Sequence, residues 1–284
     1  MRKLAVAVDF GKTRLRVALV DRKGEIQRVT EVDSRHFSSS ADVTNAILTC
    51  VDSITGGREG LIIGVGIGST GAVDSENGIV LSSGSLPYLR DYDIAAQIRN
   101  RLNLPTAVVN DVSAAGLGEA VYGPYGRAER IVFLNFGTGV GAALVSGGRL
   151  ERGAHGSLGL ISSIPVPPDG RTVNECVGGK ALAPYLGEDV SVGDGGVAVR
   201  NKGVGVAVTI IGFIAGLCDP HAIAVGGGVW LQNNWFRERV HRGLSEAMEN
   251  QTTGLSMPHV MTARLGDRAG LIGAGHLGLE IGTV

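Results

Sequence analysis

Disulfide frameworks, long apolar runs and an excess of one charge are all missing from this 284-residue chain. Its three cysteines, Cys50, Cys176 and Cys218, are odd in number and far apart, which argues against disulfides and fits a reducing cytoplasm. Lys and Arg number 26 against 27 Asp and Glu, so nothing resembles the basic footprint of a nucleic-acid binder or a membrane-surface protein. No stretch reaches the roughly 18 apolar residues that span a bilayer; residues 204–217 come nearest and read as a short core helix. Ahead of Asp9 stand five uninterrupted apolar residues, too few for a secretory signal, and they read as a buried strand. The length suits one large domain or two of ordinary size, and 44% hydrophobic residues with 19% charged exclude disorder. What is abundant is glycine, 45 residues or about 16%, where about 7% is usual. No Gly-X-Y period runs through it, which excludes collagen, and aliphatic runs between the glycines exclude a flexible linker. Many tight turns, or many places where backbone approaches a ligand closely, remain.

The sequence repeats itself. Residues 4–20 read as a strand ending at Asp9, a turn, and a second strand from Leu15; residues 131–145 have the same form, with a strand ending at Asn135 and a Phe-Gly turn. Asp9-Phe10-Gly11 lies over Asn135-Phe136-Gly137 at an offset of 126, and Ala18-Leu19-Val20 over Ala143-Leu144-Val145 at 125. Both hairpins then turn at glycine into a third strand. Two copies so far apart point to two similar domains facing each other. Helices are expected at 40–53, 94–102, 112–121 (capped at or near Asp111), 204–218, 237–248 and 269–280, and further strands at 61–67, 106–109 and 223–225. Residues 161–173, with three prolines, read as a loop. This alternation indicates an α/β protein with mixed sheets.

Asp9-Phe10-Gly11-Lys12-Thr13 sits in a hairpin turn after an apolar strand. Glycine there lets backbone N–H groups and the Thr13 hydroxyl reach phosphate oxygens, Lys12 can touch a phosphate, and Asp9 can hold a hydrated Mg2+. Gly137-Thr138-Gly139-Val140-Gly141 offers the same from the second copy. Each alone is equally a tight hairpin; the pair is better explained by two domains gripping one polyphosphate. Asn110-Asp111 ends one strand and starts a helix. A carboxylate at a helix N-terminus stays ionised near neutrality and suits proton transfer from an attacking alcohol, although a plain N-cap aspartate has the same spacing. Gly226-Gly227-Gly228 is either a resting place for a nucleotide's sugar and base or a close packing turn. Arg14 and Arg16 read as solvated strand-edge charges, and the glycines at 193–196 and 273–278 as ordinary turns or close helix packing.

With these residues in place, the chain resembles, almost end to end, the ROK family (repressor, open reading frame, kinase) of the actin-like ATPase and sugar-kinase superfamily. Asp9 to Thr13 resembles its first phosphate loop, Gly68-Ser69-Thr70-Gly71-Ala72-Val73-Asp74 the glycine-rich turn beside the sugar, and Ser85-Leu86-Pro87 an Asn-Leu-Pro segment. Asn110-Asp111 with the helix through Glu119 resembles the catalytic strand and helix, Gly137-Thr138-Gly139 the second phosphate loop, Gly226 to Gly228 the adenosine turn, and residues 265–274 the start of the closing helix. The resemblance implies an α/β, two-domain actin-like ATPase (ribonuclease H-like) fold with a central cleft. Lobes are expected at 1–115 and 116–268, with the last helix, 269–284, returning to the first lobe. ATP and Mg2+ are the implied cofactors. Asp111 is the implied general base, Asp9 the Mg2+ anchor through water, and Gly11, Lys12, Thr13, Gly137, Thr138, Gly226 and Gly227 join Asp9 around the nucleotide. Gly71, Ser85, Asn110, Asp111, His155 and Asn174 are the implied acceptor residues.

Departures from the family pattern concentrate at the acceptor. Members carry Gly-Glu-x-Gly-His after the second hairpin, where this chain has Gly156-Ser157-Leu158-Gly159-Leu160: Ser157 replaces the sugar-binding Glu and Leu160 the His. The cysteine-rich zinc motif that follows is replaced by residues 165–174 without cysteine, and lone Cys176 cannot complete a tetrahedral site, so no structural zinc is expected. The Glu closing that motif becomes Asn174, with Glu175 as a substitute in a slipped register; His155 either points into the acceptor site or caps a turn. The expectation is a cytoplasmic, homo-oligomeric (dimeric) kinase acting on a hydroxyl of a hexose or modified sugar. Binding to membranes or nucleic acid is not expected, since no helix-turn-helix of the family's repressors precedes the first phosphate loop. A non-catalytic sugar or nucleotide sensor is the alternative; lost acceptor residues favour it, and retention of both Asp9 and Asp111 argues against it. A phosphotransferase acting on an acid or polyphosphate would call for a basic cleft, for which the sequence offers only Arg152 and His155.

Overall fold

The first apolar run carries large side chains on one face and small ones on the other. In the computed structural model, which describes residues 3–125, 129–186, 193–249 and 258–283, this run is strand β1 (Leu4–Phe10). Leu4, Val6, Val8 and Phe10 enter one hydrophobic cluster and Ala7 another, so both faces are buried. β1 pairs antiparallel with β2 (Arg14–Asp21), and β2 with β3 (Ile26–Asp33). Helix α1 (Ser40–Thr55), opened by a Ser39–Asp42 capping box, covers the large-residue face with Val43, Ile47 and Val51. β4 (Ile62–Ser69) adds parallel to β1. A small antiparallel sheet of β5 (Ala72–Asp74), β6 (Ile79–Ser82) and β7 (Arg90–Tyr92) follows, too short to be read from alternation. After α2 (Ile94–Leu102), capped by Asp93, β8 (Thr106–Asn110) pairs with β4 and completes a five-stranded sheet ordered β3-β2-β1-β4-β8. Helix α3 (Asp111–Tyr122) leaves from its end.

The second half repeats that topology. β9 (Arg130–Phe136), β10 (Val140–Ser146) and β11 (Arg149–Glu151) form the antiparallel part. Residues 161–173 are not wholly loop: they hold a two-stranded ribbon, β12 (Pro165–Val166) with β13 (Arg171–Thr172), and helices α4 (Val173–Val177) and α5 (Gly179–Leu182) follow. Past α6 (Asp194–Cys218), β14 (Ala222–Gly226) pairs parallel with β9, and past α7 (Gly228–Leu231) and α8 (Asn234–Glu249), β15 (His259–Thr262) pairs with β14. The order β11-β10-β9-β14-β15 mirrors the first sheet. The slip in the repeat's offset also has a cause: Phe10 pairs with Leu15, whereas Phe136 pairs with Val140, so the second turn is one residue shorter.

Helix α9 (Ala269–Ile281) packs on β1, β2 and β4 and crosses α3. Glycine makes this contact possible. A Cβ on Gly66 would lie 1.9 Å from the Ala274 carbonyl oxygen, one on Gly64 2.3 Å from that of Gly278, and one on Gly273 1.7 Å from that of Ala114. Backbone therefore touches backbone on both sides of α9. Helix α6 departs from the expected short core helix. It is 25 residues long, and by length and composition it is the one described helix that could cross a membrane. One stripe, with Val206, Ala207, Ile211 and Ala215, enters the second core, while Phe213 and Leu217 are 65% and 84% exposed. The lobe division expected between residues 115 and 116 falls inside α3.

Candidate active site

Three parallel strands end side by side. Asp9 of β1 is paired with Gly68 of β4, and Ser69 of β4 with Asn110 of β8; the carboxyl ends of such strands are where open α/β sheets place ligands. Asn110, not Asp111, caps α3: its Oδ1 accepts the Val112 N–H at 2.9 Å, while its Nδ2 donates to the Gly71 carbonyl oxygen at 2.8 Å. Asp111 is the first helical residue, partly buried, and its own Oδ1 also accepts from Val112 N–H at 2.9 Å. Its carboxyl does not keep the ordinary acidity expected of a helix N-terminus. Burial, and then the Asp9 carboxylate nearby, push it up to about 7, and the hydrogen bonds that favour the charged form offset this only in part.

Asp9 itself is held. Arg16 Nη2 donates to Asp9 Oδ2 at 2.5 Å, and the Arg16 side chain is mostly buried, so Arg16 is not the solvated strand-edge charge expected. Arg14 is: it is exposed and comes only within 4.0 Å of Glu31. The hairpin register, which sets Arg16 opposite Asp9, is the signal that would have found the pair.

In the first glycine loop, Gly11 N–H donates to the Arg14 carbonyl oxygen at 2.9 Å, and Lys12 and Thr13 are exposed. In the second, Gly137 N–H donates to the Gly139 carbonyl oxygen at 3.0 Å and Thr138 is exposed. Gly226 pairs with Asn135, and Gly227, at φ 88°, has Phe136 backbone 2.4 Å from where a Cβ would stand. Gly137, Thr138, Gly226 and Gly227 thus form one wall. A Cβ on Gly141 would lie 3.2 Å from Val112 Cγ2, which sets this wall's hairpin against the start of α3.

Beside Asn110 opens a cleft lined by Ser75, Asn110, Ser113, Glu151 and Arg152 among polar residues and by Leu158 and Leu160 among apolar ones. Of the expected acceptor residues, Asn110 lines it, Gly71 is bonded to Asn110, and Asp111, next in the chain, is not part of the lining. Ser85 lies outside the lining against Ser83, hydroxyl to hydroxyl at 3.2 Å, and His155 is exposed outside it. Asn174 is elsewhere: its Oδ1 accepts the Val140 N–H at 2.8 Å, because Thr172 caps α4 and turns Asn174 toward the second glycine loop. Glu175 closes that capping box with Thr172 and does not substitute for it. Sequence reasoning misses Ser75 and Ser113; Ser113 stands one helical turn beyond Asn110, the spacing that would have found it. Cys176 is buried in the second core.

Comparison with known proteins agrees with this geometry. The family model described as ROK family matches residues 5–181 and 196–280. A glucokinase of Streptomyces coelicolor is 26% identical over 98% of both chains. The crystal structure of a ROK family glucokinase from Streptomyces griseus in complex with glucose and AMPPNP superposes with a TM-score of 0.79 at 25% identity, covering 98% of this chain and 99% of that one. The ROK hexokinase from Thermus thermophilus superposes with a TM-score of 0.82 at 21% identity over the whole of both chains. With its duplicated five-stranded sheets and paired glycine loops, the chain belongs to the ROK family and has the actin-like ATPase fold of its sugar kinases.

Proposed function

We propose that this carbohydrate kinase transfers a phosphoryl group from ATP to a hydroxyl of a hexose or modified sugar, with Asp111 as the general base. The observation that carries the reading is the Asp111 carboxyl, which follows the cleft residue Asn110 at the start of α3 and has its proton affinity raised to about 7. A base of that strength is matched to neutral pH, where an ordinary carboxylate is too weak to draw a proton from an alcohol efficiently. Exposed Lys12 and Thr13 of the first loop and Thr138 of the second hold the phosphates, while the Gly11 and Gly137 N–H groups close their own loops, and the Gly226–Gly227 turn takes the adenosine. Stabilising charge on the transferring group in this way supplies most of the catalysis in such reactions.

Asp9 fits a Mg2+ anchored through water. Its hard oxygen donors face a second carboxyl whose proton affinity their charge has raised, the kind of negative density a divalent cation balances. When bound, Mg2+ neutralises charge on the phosphate oxygens. The lobes, residues 1–115 with α9 and residues 116–268, close over the cleft and exclude water. In the acceptor cleft Asn110, Ser75 and Ser113 offer hydrogen bonds on one side and exposed Leu158 and Leu160 an apolar wall on the other. That division favours a modified sugar with an apolar substituent.

The protein works in the cytoplasm as a homodimer in this reading. Phe213 and Leu217 stand beside Gly212 and Gly216 on the exposed face of α6, and a Cβ at either glycine would meet nothing within 4 Å. Two copies related by a two-fold axis can set each Phe213 over the partner's open glycines. An ADP-release assay with Mg-ATP over hexoses, amino sugars, deoxy sugars and polyols tests the function. An acceptor should raise turnover, and Asp111→Asn should lower that turnover by about 10^2- to 10^4-fold. If no acceptor exceeds the variant's background, the chain is a sensor and the kinase reading fails.

A further inference from the structure

Asp9 is gripped from two sides. Arg16 stands opposite it in the β1–β2 ladder, and the two side chains are 15% and 16% exposed. Arg16 Nη2 donates both to Asp9 Oδ2 at 2.5 Å and to the Asp267 carbonyl oxygen at 2.8 Å, and Nη1 lies 3.5 Å from the Asp267 carboxylate. On the other side, the first turn of α9 presses against the carboxyl group: a Cβ on Gly270 would come within 3.1 Å of Asp9 Cγ and 3.2 Å of each of its oxygens. A guanidinium so sheltered interacts more strongly than a solvated surface pair, and its fixed fork orients what it binds. The remaining nearby cations do not take this place, since Lys12 and Arg14 point to solvent.

We infer that Arg16 is a positioning residue: an internal counter-cation that holds Asp9 in one orientation and suppresses its affinity for a free divalent ion, so that the metal enters with the nucleotide's phosphates. The inference rests on the reading of Asp9 as the metal anchor. Two neighbouring carboxyl groups, Asp9 and Asp111, would by themselves attract a divalent cation. Arg16 cancels one of those charges in the empty site, and a triphosphate brings in the negative charge that restores the attraction. The bond to the Asp267 main chain keeps the guanidinium from leaving with the metal or swinging into the cleft.

The test needs neither acceptor nor turnover. Mn2+ is titrated into nucleotide-free protein and the free ion followed by electron paramagnetic resonance, for wild type, Arg16→Lys, Arg16→Gln and the double variant Arg16→Gln/Asp9→Asn, with melting temperatures alongside. Arg16→Gln keeps a donor and loses the charge; it should bind Mn2+ at least tenfold more tightly than wild type. Arg16→Lys should stay near wild type, and the double variant should lose the gain. Arg16→Met serves as a second neutral variant if Arg16→Gln does not fold. Unchanged Mn2+ binding in the neutral variants overturns the inference, and a lower melting temperature without a change in binding marks Arg16 as a strut between β2 and the start of α9. A protein that shows the tightened binding but phosphorylates no sugar would sink the kinase reading alone.

Discussion

The Glu119 carboxylate of α3, with no exposed surface, accepts the backbone N–H of Leu265 at 2.9 Å, and it also accepts that of Arg264. One buried side chain thus ties α3 to the segment that leads into α9.

Removing that carboxylate leaves the Arg264 and Leu265 N–H groups without their acceptor. Glu119→Ala should cost about 3 kcal/mol or more in urea unfolding, since each orphaned donor costs about 1–3 kcal/mol. Glu119→Gln, which keeps one acceptor, should cost less. A loss below 1 kcal/mol in the alanine variant would show that water or a neighbour replaces the carboxylate.

Glycines of two kinds should respond oppositely to alanine. Gly273→Ala drives a methyl into the Ala114 carbonyl of α3 and should destabilise by about 3 kcal/mol. At Gly205 in α6 a methyl would meet nothing within 4 Å, so Gly205→Ala should stabilise by up to about 1 kcal/mol through helix propensity. Thermal melts of the two single variants decide the matter; a neutral Gly273→Ala would mean that α9 moves away from α3 at little cost.

Asp111 should weaken the fold it serves. Its folded proton affinity is raised, so the protein loses stability as pH rises from the unfolded value of 3.8 to the folded value of about 7. Above pH 7, roughly three units at about 1.4 kcal/mol each make the cost of order 4 kcal/mol. Asp111→Asn should therefore melt higher than wild type at pH 8 in EDTA and much closer to it at pH 4, while turnover collapses. An equal gain at both pH values would place the effect outside the ionisation of Asp111.

The acceptor cleft offers a specificity test. Sugars with an apolar substituent should show higher kcat/KM than the parent hexose, because Leu158 and Leu160 line one wall. Leu160→Asn should cut that preference about tenfold, the scale set by one or two buried methylenes. A preference that survives the change would remove Leu160 from acceptor recognition.

Much of this protein is legible locally. Uninterrupted apolar runs and Asp-Phe-Gly over Asn-Phe-Gly announce two equivalent hairpins, and the sheets bear this out with mirrored strand orders. The bounds of α2 are those expected, because Asp93 caps its start and Asn103, at φ 52°, its end within a residue or two of sequence. The cap of α3, expected at or near Asp111, is Asn110: both are good caps, and only the fold gives Asn110 its second bond, to Gly71.

The glycines divide the two levels most clearly. Composition and position point to close ligand approach at Gly11, at Gly68 to Gly71 and at both later glycine clusters. At Gly11 and Gly228 a Cβ would make only an ordinary contact, at 3.5 Å from the Arg14 carbonyl oxygen and 3.9 Å from Gln232, but at Gly68, Gly71 and Gly227 the space is filled by the protein itself, through Ala114, Ser82 and Phe136. Sequence alone determined the repeated hairpins, the strand ends that carry Asp9 and Asn110, and the helix that Asp111 begins, because each depends on neighbours a few residues away. Only the tertiary structure decided which glycines serve packing, that Asp111 is a much weaker acid than a helix N-terminus implies, and that Arg16 is sheltered. Burial and then Asp9 set the acidity of Asp111, and Asp267 the shelter of Arg16; Asp9 and Asp267 lie about 100 and about 250 residues away along the chain from Asp111 and Arg16 and meet them only when the sheets, α3 and α9 close together.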